Sequence, residues 1–86
     1  MLERHNIEIA KIHVPAKRLR SLDRSKAEAI AEDILERGQT TPVQVRLDKK
    51  DPSGRYVLVE GLHRLEALRS LGEATVLAYL VQARIR

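Results

Sequence analysis

The sequence predicts an α+β fold, a small mixed β-sheet with two helices packed on it. Two observations favour it. Segments with the apolar alternation of strands are interleaved with two segments of helical spacing. Their order, β(β)-α-β-β-α-β, does not alternate strictly, so we expect a sheet with strands of both directions rather than a purely parallel one.

The first half of the chain contains short strands and the better signalled helix. Residues 6–14 alternate apolar and polar side chains, which predicts one or two strands. Residues 15–23 follow neither period and are expected to form a basic loop. Ser25 and Glu28 fit a capping box, and Gly38 stands where a C-terminal glycine belongs, so a helix is expected between them.

A hairpin is expected next. Residues 41–47 and 55–60 alternate as strands, and the Asp, Pro, Ser and Gly residues of 48–54 are typical of a turn between them.

A second helix and a final strand complete the pattern. The helix is expected to begin after Gly61 and to end at Gly72, and residues 74–82 are apolar enough for a strand. The helix has three leucines at core spacing: Leu65, Leu68 and Leu71.

Composition excludes several classes of function. The 86 residues predict one domain, 1–86, and the absence of Cys excludes disulfides, thiolate metal sites and cysteine nucleophiles. With no Phe, no Trp and two Tyr, platforms that stack single-stranded nucleic acid are disfavoured. The three His lack metal-ligand spacing, so no metal site is predicted by motif.

Charge and hydropathy suggest a cytoplasmic protein with an anionic partner. The net charge of +4 suits such a partner. No run of about 18 apolar residues is present to span a membrane, and the N-terminus has no apolar signal-peptide core, so a membrane partner is not expected.

The junction at Gly61 carries the main functional signal. A helix start leaves backbone N–H groups unpaired and has a partial positive charge, so it favours an anion. His63 and Arg64 add two donors in the first turn, although cations there are otherwise unfavourable. The pattern predicts a phosphate site. The alternative is that Arg64 pairs with Glu60 or Glu66 and that His63 is solvated.

The residues around this junction resemble a known family. Residues 61–72, "GLHRLEALRSLG", look like the box of the ParB and sulfiredoxin-like superfamily, in which partition proteins carry Gly-x-Arg-Arg-x-x-Ala and sulfiredoxins Gly-Cys-His-Arg. Residues 27–46 are similar to its helix-Gly-x-x-x-Pro-strand block, and residues 22–30 to the sulfiredoxin Leu-Asp-Pro-x-Lys stretch. The resemblance covers about residues 12–81 and implies a ParB/sulfiredoxin-like fold.

The resemblance implies a nucleotide-phosphate pocket between the two helix starts. It also implies a nucleoside triphosphate with Mg²⁺ as ligand, without identifying the base. Arg20, or less closely Arg18, falls where partition proteins carry an arginine. The implied phosphate-binding residues are Gly61, His63, Arg64, Lys26, Arg20 and Arg18.

Departures from the family limit what is implied. Leu62 occupies the position of the sulfiredoxin cysteine, so thiol repair chemistry is excluded. Asp33 and Ala29 stand where relatives have hydroxyl residues, and a carboxylate at 33 implies either a bridging Mg²⁺ or a silent pocket. These 86 residues contain no helix-turn-helix, so a CTP-gated clamp on specific DNA is not expected of them.

Two carboxylates are candidate catalytic residues, and three functions remain open. Asp33 is expected to face inward, because it lies close to Ile30 and Ile34 around the helix. Glu60 directly precedes the pocket and can act as a base. The leading hypothesis is nucleotide binding, with hydrolysis or phosphoryl transfer as its extension. The alternatives are a DNA-associated partition, nuclease-like or regulatory module, and an interaction domain that has lost its ligand.

Overall fold

The computed structural model describes residues 3–81. Within them, one 3-10 turn, Ile9–Lys11, separates the first two strands. In chain order the strands and helices are β1 (Arg4–Glu8), β2 (Ile12–His13), α1 (Ala16–Leu19), α2 (Arg24–Arg37), β3 (Val43–Leu47), β4 (Tyr56–Glu60), α3 (Leu62–Ser70) and β5 (Thr75–Leu80). The end of the last predicted strand, Gln82, lies outside the described residues.

The five strands form one mixed sheet in the order β1-β5-β3-β4-β2. The β1–β5 and β3–β4 pairs are antiparallel, whereas β5–β3 and β4–β2 are parallel. Helices α2 and α3 pack against each other. The predicted α+β fold with a mixed sheet and two packed helices is confirmed, as is the hairpin formed by β3 and β4.

The core is aliphatic and fixes the position of α3. Leu62, Leu65 and Leu68 of that helix are buried against Val43 and Val45 of β3. Burying a side chain of this kind contributes roughly 1.5–3 kcal/mol, so α3 is held firmly on the sheet. Leu71, which was expected to be equally buried, is only half-buried, because it is the C-cap that follows the helix.

The segment predicted as a basic loop contains the short helix α1, so that prediction is wrong. Pro15 precedes it with φ −56°, close to the helical value, and its carbonyl accepts from the N–H groups of Arg18 and Leu19 at 2.9 and 3.1 Å. A single turn of four residues is too short to show a periodicity in the sequence.

The start of α2 also differs from the prediction. Asp23, not Ser25, is the N-cap, and its Oδ1 accepts from the N–H groups of Ser25 and Lys26 at 2.9 and 3.4 Å. A carboxylate also favours the positive end of the helix dipole, which a hydroxyl does not match. The helix therefore begins at Arg24.

The loop between α2 and β3 is fastened to the sheet by one side chain. The Gln39 amide donates from Nε2 to the Leu77 carbonyl at 2.9 Å and accepts at Oε1 from the Leu77 N–H at 2.8 Å. The side chain thus pairs with β5 one position before β3 does, since that pairing begins with Val43 opposite Ala78.

The β3–β4 hairpin is closed by a compact charge cluster. Arg55 donates from Nη2 to Asp48 Oδ2 at 2.8 Å and lies 3.2 Å from Asp51 Oδ2. The hydrogen bond from Arg55 lowers the pKa of Asp48, and the hydroxyl and N–H of Ser53 lower the pKa of Asp51.

No helix within residues 3–81 has the length and apolarity needed to cross a bilayer.

Candidate functional site

An open cleft of about 390 Å³ lies at the start of α3. We call it the Gly61 cleft. The end of β4, the first turn of α3, the α1 region and one residue of α2 contribute its walls. The lining residues are Arg18, Ser21, Ile30, Glu60, Gly61, Leu62, His63 and Arg64.

Gly61 is required for the way α3 leaves the sheet. Its φ is +103°, in the left-handed region that favours glycine, and an added Cβ would lie 2.7 Å from Cγ1 and 2.9 Å from Cβ of Val43. The resemblance implied that Gly61 is one of the phosphate-binding residues. The structure gives it a packing role, because it lets the start of α3 approach β3 closely.

The first turn of α3 offers backbone donors to the cleft. The first intrahelical bond runs from the Leu65 N–H to the Gly61 carbonyl at 2.9 Å. In the described part of the chain, no acceptor is found for the N–H groups of Leu62, His63 and Arg64. Free amides at the positive end of a helix dipole are suited to an anion.

Arg18 reaches the cleft from α1. Its Nη1 donates to the Val59 carbonyl at 2.9 Å, which fixes the guanidinium beside the end of β4. A guanidinium has five N–H donors in a planar fork, so one bond to the backbone leaves others for a ligand. The short helix that the sequence did not predict is what places this cation.

Arg64 is half-buried and forms no ion pair within residues 3–81. Glu66, one of its expected alternative partners, instead lies 3.4 Å from Arg69 Nε. Glu60, the other, lines the same cleft and is exposed. Within the described residues, neither Glu60 nor Glu66 forms the ion pair with Arg64 that the alternative expected.

A second hollow of about 300 Å³ adjoins the first. We call it the Thr41 hollow. It shares Ile30 and Arg64 with the Gly61 cleft, so the two hollows adjoin at these residues, and we call them together the groove. Its lining residues are Ala29, Ile30, Asp33, Ile34, Gly38, Thr40, Thr41 and Arg64.

His63 links the two helix starts. Its Nε2 accepts from the N–H of Asp23, the N-cap of α2, at 2.9 Å. The sequence predicted that the starts of both helices meet at one site, and this bond brings them together. It also occupies one ring nitrogen with a protein donor.

Three predicted residues stand apart from the Gly61 cleft. Lys26 and Arg20 are exposed and are not among its lining residues, and Arg18 takes the place that was first assigned to Arg20. Asp33, which was expected to face inward, lines the adjoining Thr41 hollow and not the Gly61 cleft. Its side chain is 53% exposed, because the carboxylate pairs at 3.3 Å with Arg37, one turn along the helix.

The same ion pair bears on the hypothesis of a lost ligand. That hypothesis expects Asp33 to pair with Arg64 and to close the pocket, and Asp33 pairs with Arg37 instead. The groove remains open on both sides of Arg64.

Sequence reasoning missed Ser21, Ile30, Thr40 and Thr41 as lining residues. Ser21 follows the unpredicted α1, whereas the two threonines lie directly before Pro42 in the loop that Gln39 anchors. Two hydroxyl residues between a helix and a strand were the available signal.

Residues 3–81 hold no group of three or more His, Asp or Glu side chains that could coordinate a metal ion. Of the residues that line the Gly61 cleft, Glu60 is the only carboxylate. Mg²⁺ typically takes one or two carboxylates and completes its shell with phosphate oxygens and water, so Glu60 suits such an ion only together with a phosphate ligand.

Comparison with protein families decides the identity of the domain. The family model for the ParB N-terminal domain matches residues 2–86. The chain belongs to the ParB N-terminal domain family. No significant match is found among curated proteins.

Solved structures place this ParB N-terminal domain in the sulfiredoxin-like fold. Sulfiredoxin from Arabidopsis thaliana has a TM-score of 0.78 and 27% identity, with 94% of this chain and 86% of that chain covered. The partitioning protein ParB from Caulobacter crescentus, complexed with CTP-gamma-S, has a TM-score of 0.79 and 24% identity, with coverage of 95% and 46%. The same protein was also solved on the centromeric parS site, at a TM-score of 0.67 and 22% identity, with coverage of 95% and 38%.

A free serine kinase variant in complex with AMP resembles the domain equally well in fold. Its TM-score is 0.76 at 22% identity, and 93% of this chain and 31% of that chain are covered. The chain thus spans most of the sulfiredoxin but less than half of the ParB and kinase chains.

Proposed function

We propose that this ParB N-terminal domain binds a nucleotide in the groove formed by the Gly61 cleft and the Thr41 hollow. The observation that carries the proposal is the convergence of Arg18, His63 and Arg64 on the free amides of the α3 start. These groups are of the kind that bind phosphate oxygens. Proteins of the same fold that were solved with CTP-gamma-S and with AMP support it.

The groove favours a nucleotide over a bare phosphate. Beyond Arg64 it continues into the Thr41 hollow, whose walls combine the aliphatic Ile30 and Ile34 with the hydroxyl residues Thr40 and Thr41. A nucleoside needs apolar surface for its base and hydrogen-bonding groups for its sugar. Phosphates in the Gly61 cleft therefore leave room for a nucleoside beside them.

Glu60 is the candidate for chemistry on the bound phosphates. It is exposed at the end of β4 and shares the cleft with two arginines. It would hold Mg²⁺ beside the phosphates or accept a proton from an attacking hydroxyl or water. Asp33 remains a candidate only for the far side of Arg64, because it lines the Thr41 hollow.

Calorimetric titration with CTP, ATP, GTP and ADP, each with and without Mg²⁺, tests the proposal. Removing the guanidinium in Arg64→Ala should weaken binding about tenfold to hundredfold, which is the range for a lost hydrogen bond to a charged group. Arg69→Ala is the matched control, because Arg69 lies at the other end of α3 and pairs with Glu66. Equal affinity in the wild type and Arg64→Ala would reject the assignment.

Two further variants separate the finer assignments. Arg18→Ala should weaken binding more than Arg20→Ala, since only Arg18 lines the cleft. Glu60→Gln should abolish any increase in nucleotide affinity that Mg²⁺ gives, or any release of phosphate from the nucleotide. Binding of the metal-free nucleotide should persist. Unchanged hydrolysis in Glu60→Gln would exclude it as the base.

A basic segment favours DNA as a second candidate ligand. Residues 17–26 carry five cations, and their single acid, Asp23, is engaged as the cap of α2. Binding through phosphate contacts loses affinity steeply with salt, with a logarithmic slope of roughly 0.9 per contact. Fluorescence anisotropy with a short duplex at two salt concentrations measures this slope. A duplex affinity that does not change with salt would exclude DNA binding through phosphate contacts.

A further inference from the structure

One ring nitrogen of His63 is engaged by a donor within the domain itself. Its Nε2 accepts the Asp23 N–H at 2.9 Å, from a residue 40 positions away in the chain. A ring nitrogen that accepts a hydrogen bond carries no proton, so the neutral ring has its proton on Nδ1.

Asp23 forms three hydrogen bonds, two through its side chain and one through its backbone. Its carboxylate accepts from the N–H groups of Ser25 and Lys26 and so caps α2, while its own N–H donates to the first turn of α3. The hydrogen bond from the Asp23 N–H to His63 Nε2 therefore joins the starts of two helices. Through this bond the α2 cap is joined to a histidine that lies in the other helix.

We infer that His63 is a positioning residue whose Nε2 ties the cap of α2 to the start of α3. The tie leaves Nδ1–H as the one ring donor for an anion in the Gly61 cleft, and this second part rests on the proposed function. A proton on Nε2 would place two donors opposite each other and break the tie. The charged groups that share the cleft or the bond with the ring are Asp23, Arg18 of α1, Glu60 of β4 and Arg64 of α3.

The tie is tested first without ligand, by nuclear magnetic resonance. Ring ¹⁵N spectra near neutral pH should show His63 with a protonated Nδ1 and a bare Nε2. His63→Gln keeps an oxygen near the place of Nε2, whereas the shorter His63→Asn does not reach it. The Asp23 amide should exchange roughly threefold to tenfold faster in His63→Asn than in the wild type, the range for one lost hydrogen bond.

The variants also distinguish a hydrogen bond that depends on pH from a merely structural role of His63. In the wild type, Asp23 amide protection should fall on acidification together with the appearance of imidazolium in the His63 ring spectra, because a protonated Nε2 no longer accepts. In His63→Gln it should stay near the neutral wild-type value, relative to reference amides at each pH. His13→Gln, at an exposed histidine of β2, should behave as the wild type.

Two outcomes would overturn the tie: an Nε2–H tautomer at neutral pH, or equal Asp23 exchange in all four proteins. The tautomer is measured on the wild type, so the test does not depend on how well a variant folds.

Sulfate is the probe for the second part, because its charge does not change in this pH range. At neutral pH, added sulfate should shift the resonances of the α3 start and leave His63 Nε2 unprotonated. Conversion of the ring to imidazolium by sulfate would overturn its role as a neutral donor. If sulfate shifts nothing in the Gly61 cleft, the anion part and the proposed function both fail, and the tie is decided by the ligand-free spectra alone.

Discussion

Replacing Gly61 by alanine should be the most damaging single-methyl change in this domain. The left-handed φ of +103° costs a residue with a Cβ about 1–2 kcal/mol. The new methyl would also lie 2.7 Å from Val43 Cγ1, in a part of the core with no room to spare, and overpacking of this kind costs about 1–3 kcal/mol. We therefore expect a loss of about 2–5 kcal/mol.

Urea unfolding followed by circular dichroism measures this loss, with Gly72→Ala as the matched control. Gly72 has a similar positive φ of +78°, but its added Cβ would meet nothing within 4 Å, so only the backbone cost applies. With a denaturant slope of about 1 kcal/mol per molar for a small domain, Gly61→Ala should unfold about 1–3 M earlier than Gly72→Ala.

If the two variants unfold at the same urea concentration, the close approach to Val43 has no energetic consequence. The double variant Gly61→Ala with Val43→Ala adds a second check. Removing Cγ1 relieves part of the clash, so the two changes should cost less together than the sum of their separate effects.

Three further predictions concern the segments around the cleft and the hairpin. Asp23→Ala should lower the free energy of unfolding by about 1 kcal/mol, whereas Ser25→Ala should change it by less than about 0.5 kcal/mol. Equal losses of stability in the two variants would favour the predicted capping box of Ser25 over Asp23 as the N-cap. Arg18→Ala removes a bond to the β4 backbone and should lower stability by about 1 kcal/mol in thermal unfolding, and an unchanged melting temperature would contradict the bond. The fold lowers the pKa of Asp48 from its ordinary value of 3.8, so the stability that its carboxylate contributes is present above that value and is lost as the pH falls through the lower folded pKa. Arg55→Ala should move the pKa of Asp48 back toward 3.8 in a carboxyl titration by nuclear magnetic resonance. An unmoved pKa would exclude the guanidinium as the cause of the shift.

The elements that the sequence predicted well are those with a period long enough to detect. The fourteen residues of α2 and the alternation of β3 and β4 were visible because several side chains repeat one pattern. The four residues of α1 complete barely one turn, so no pattern could reveal them. The choice between Asp23 and Ser25 as the cap depends on backbone geometry, which residue types alone do not determine.

The candidate site was predicted as a set of groups, but its arrangement is tertiary. Gly61 and Arg64 were found because a cation at a helix start is unusual. The bond of His63 to Asp23 joins residues 40 positions apart, so local spacing carried no sign of it. Asp33 likewise pairs with Arg37, one turn further along α2, and not with a group of the Gly61 cleft.

The pairing of β1 with β5 has a consequence for biosynthesis. Arg4 lies opposite Tyr79 and Glu8 opposite Thr75, so within residues 3–81 the strand that is synthesised first pairs with the one that is synthesised last. Until β5 leaves the ribosome, β1 has no partner and β3 is open along one edge. Such late closure of distant segments slows folding and exposes strand edges to wrong partners. We expect nascent chains of this domain to stay unfolded, and dependent on protection from aggregation, until about residue 80 has emerged.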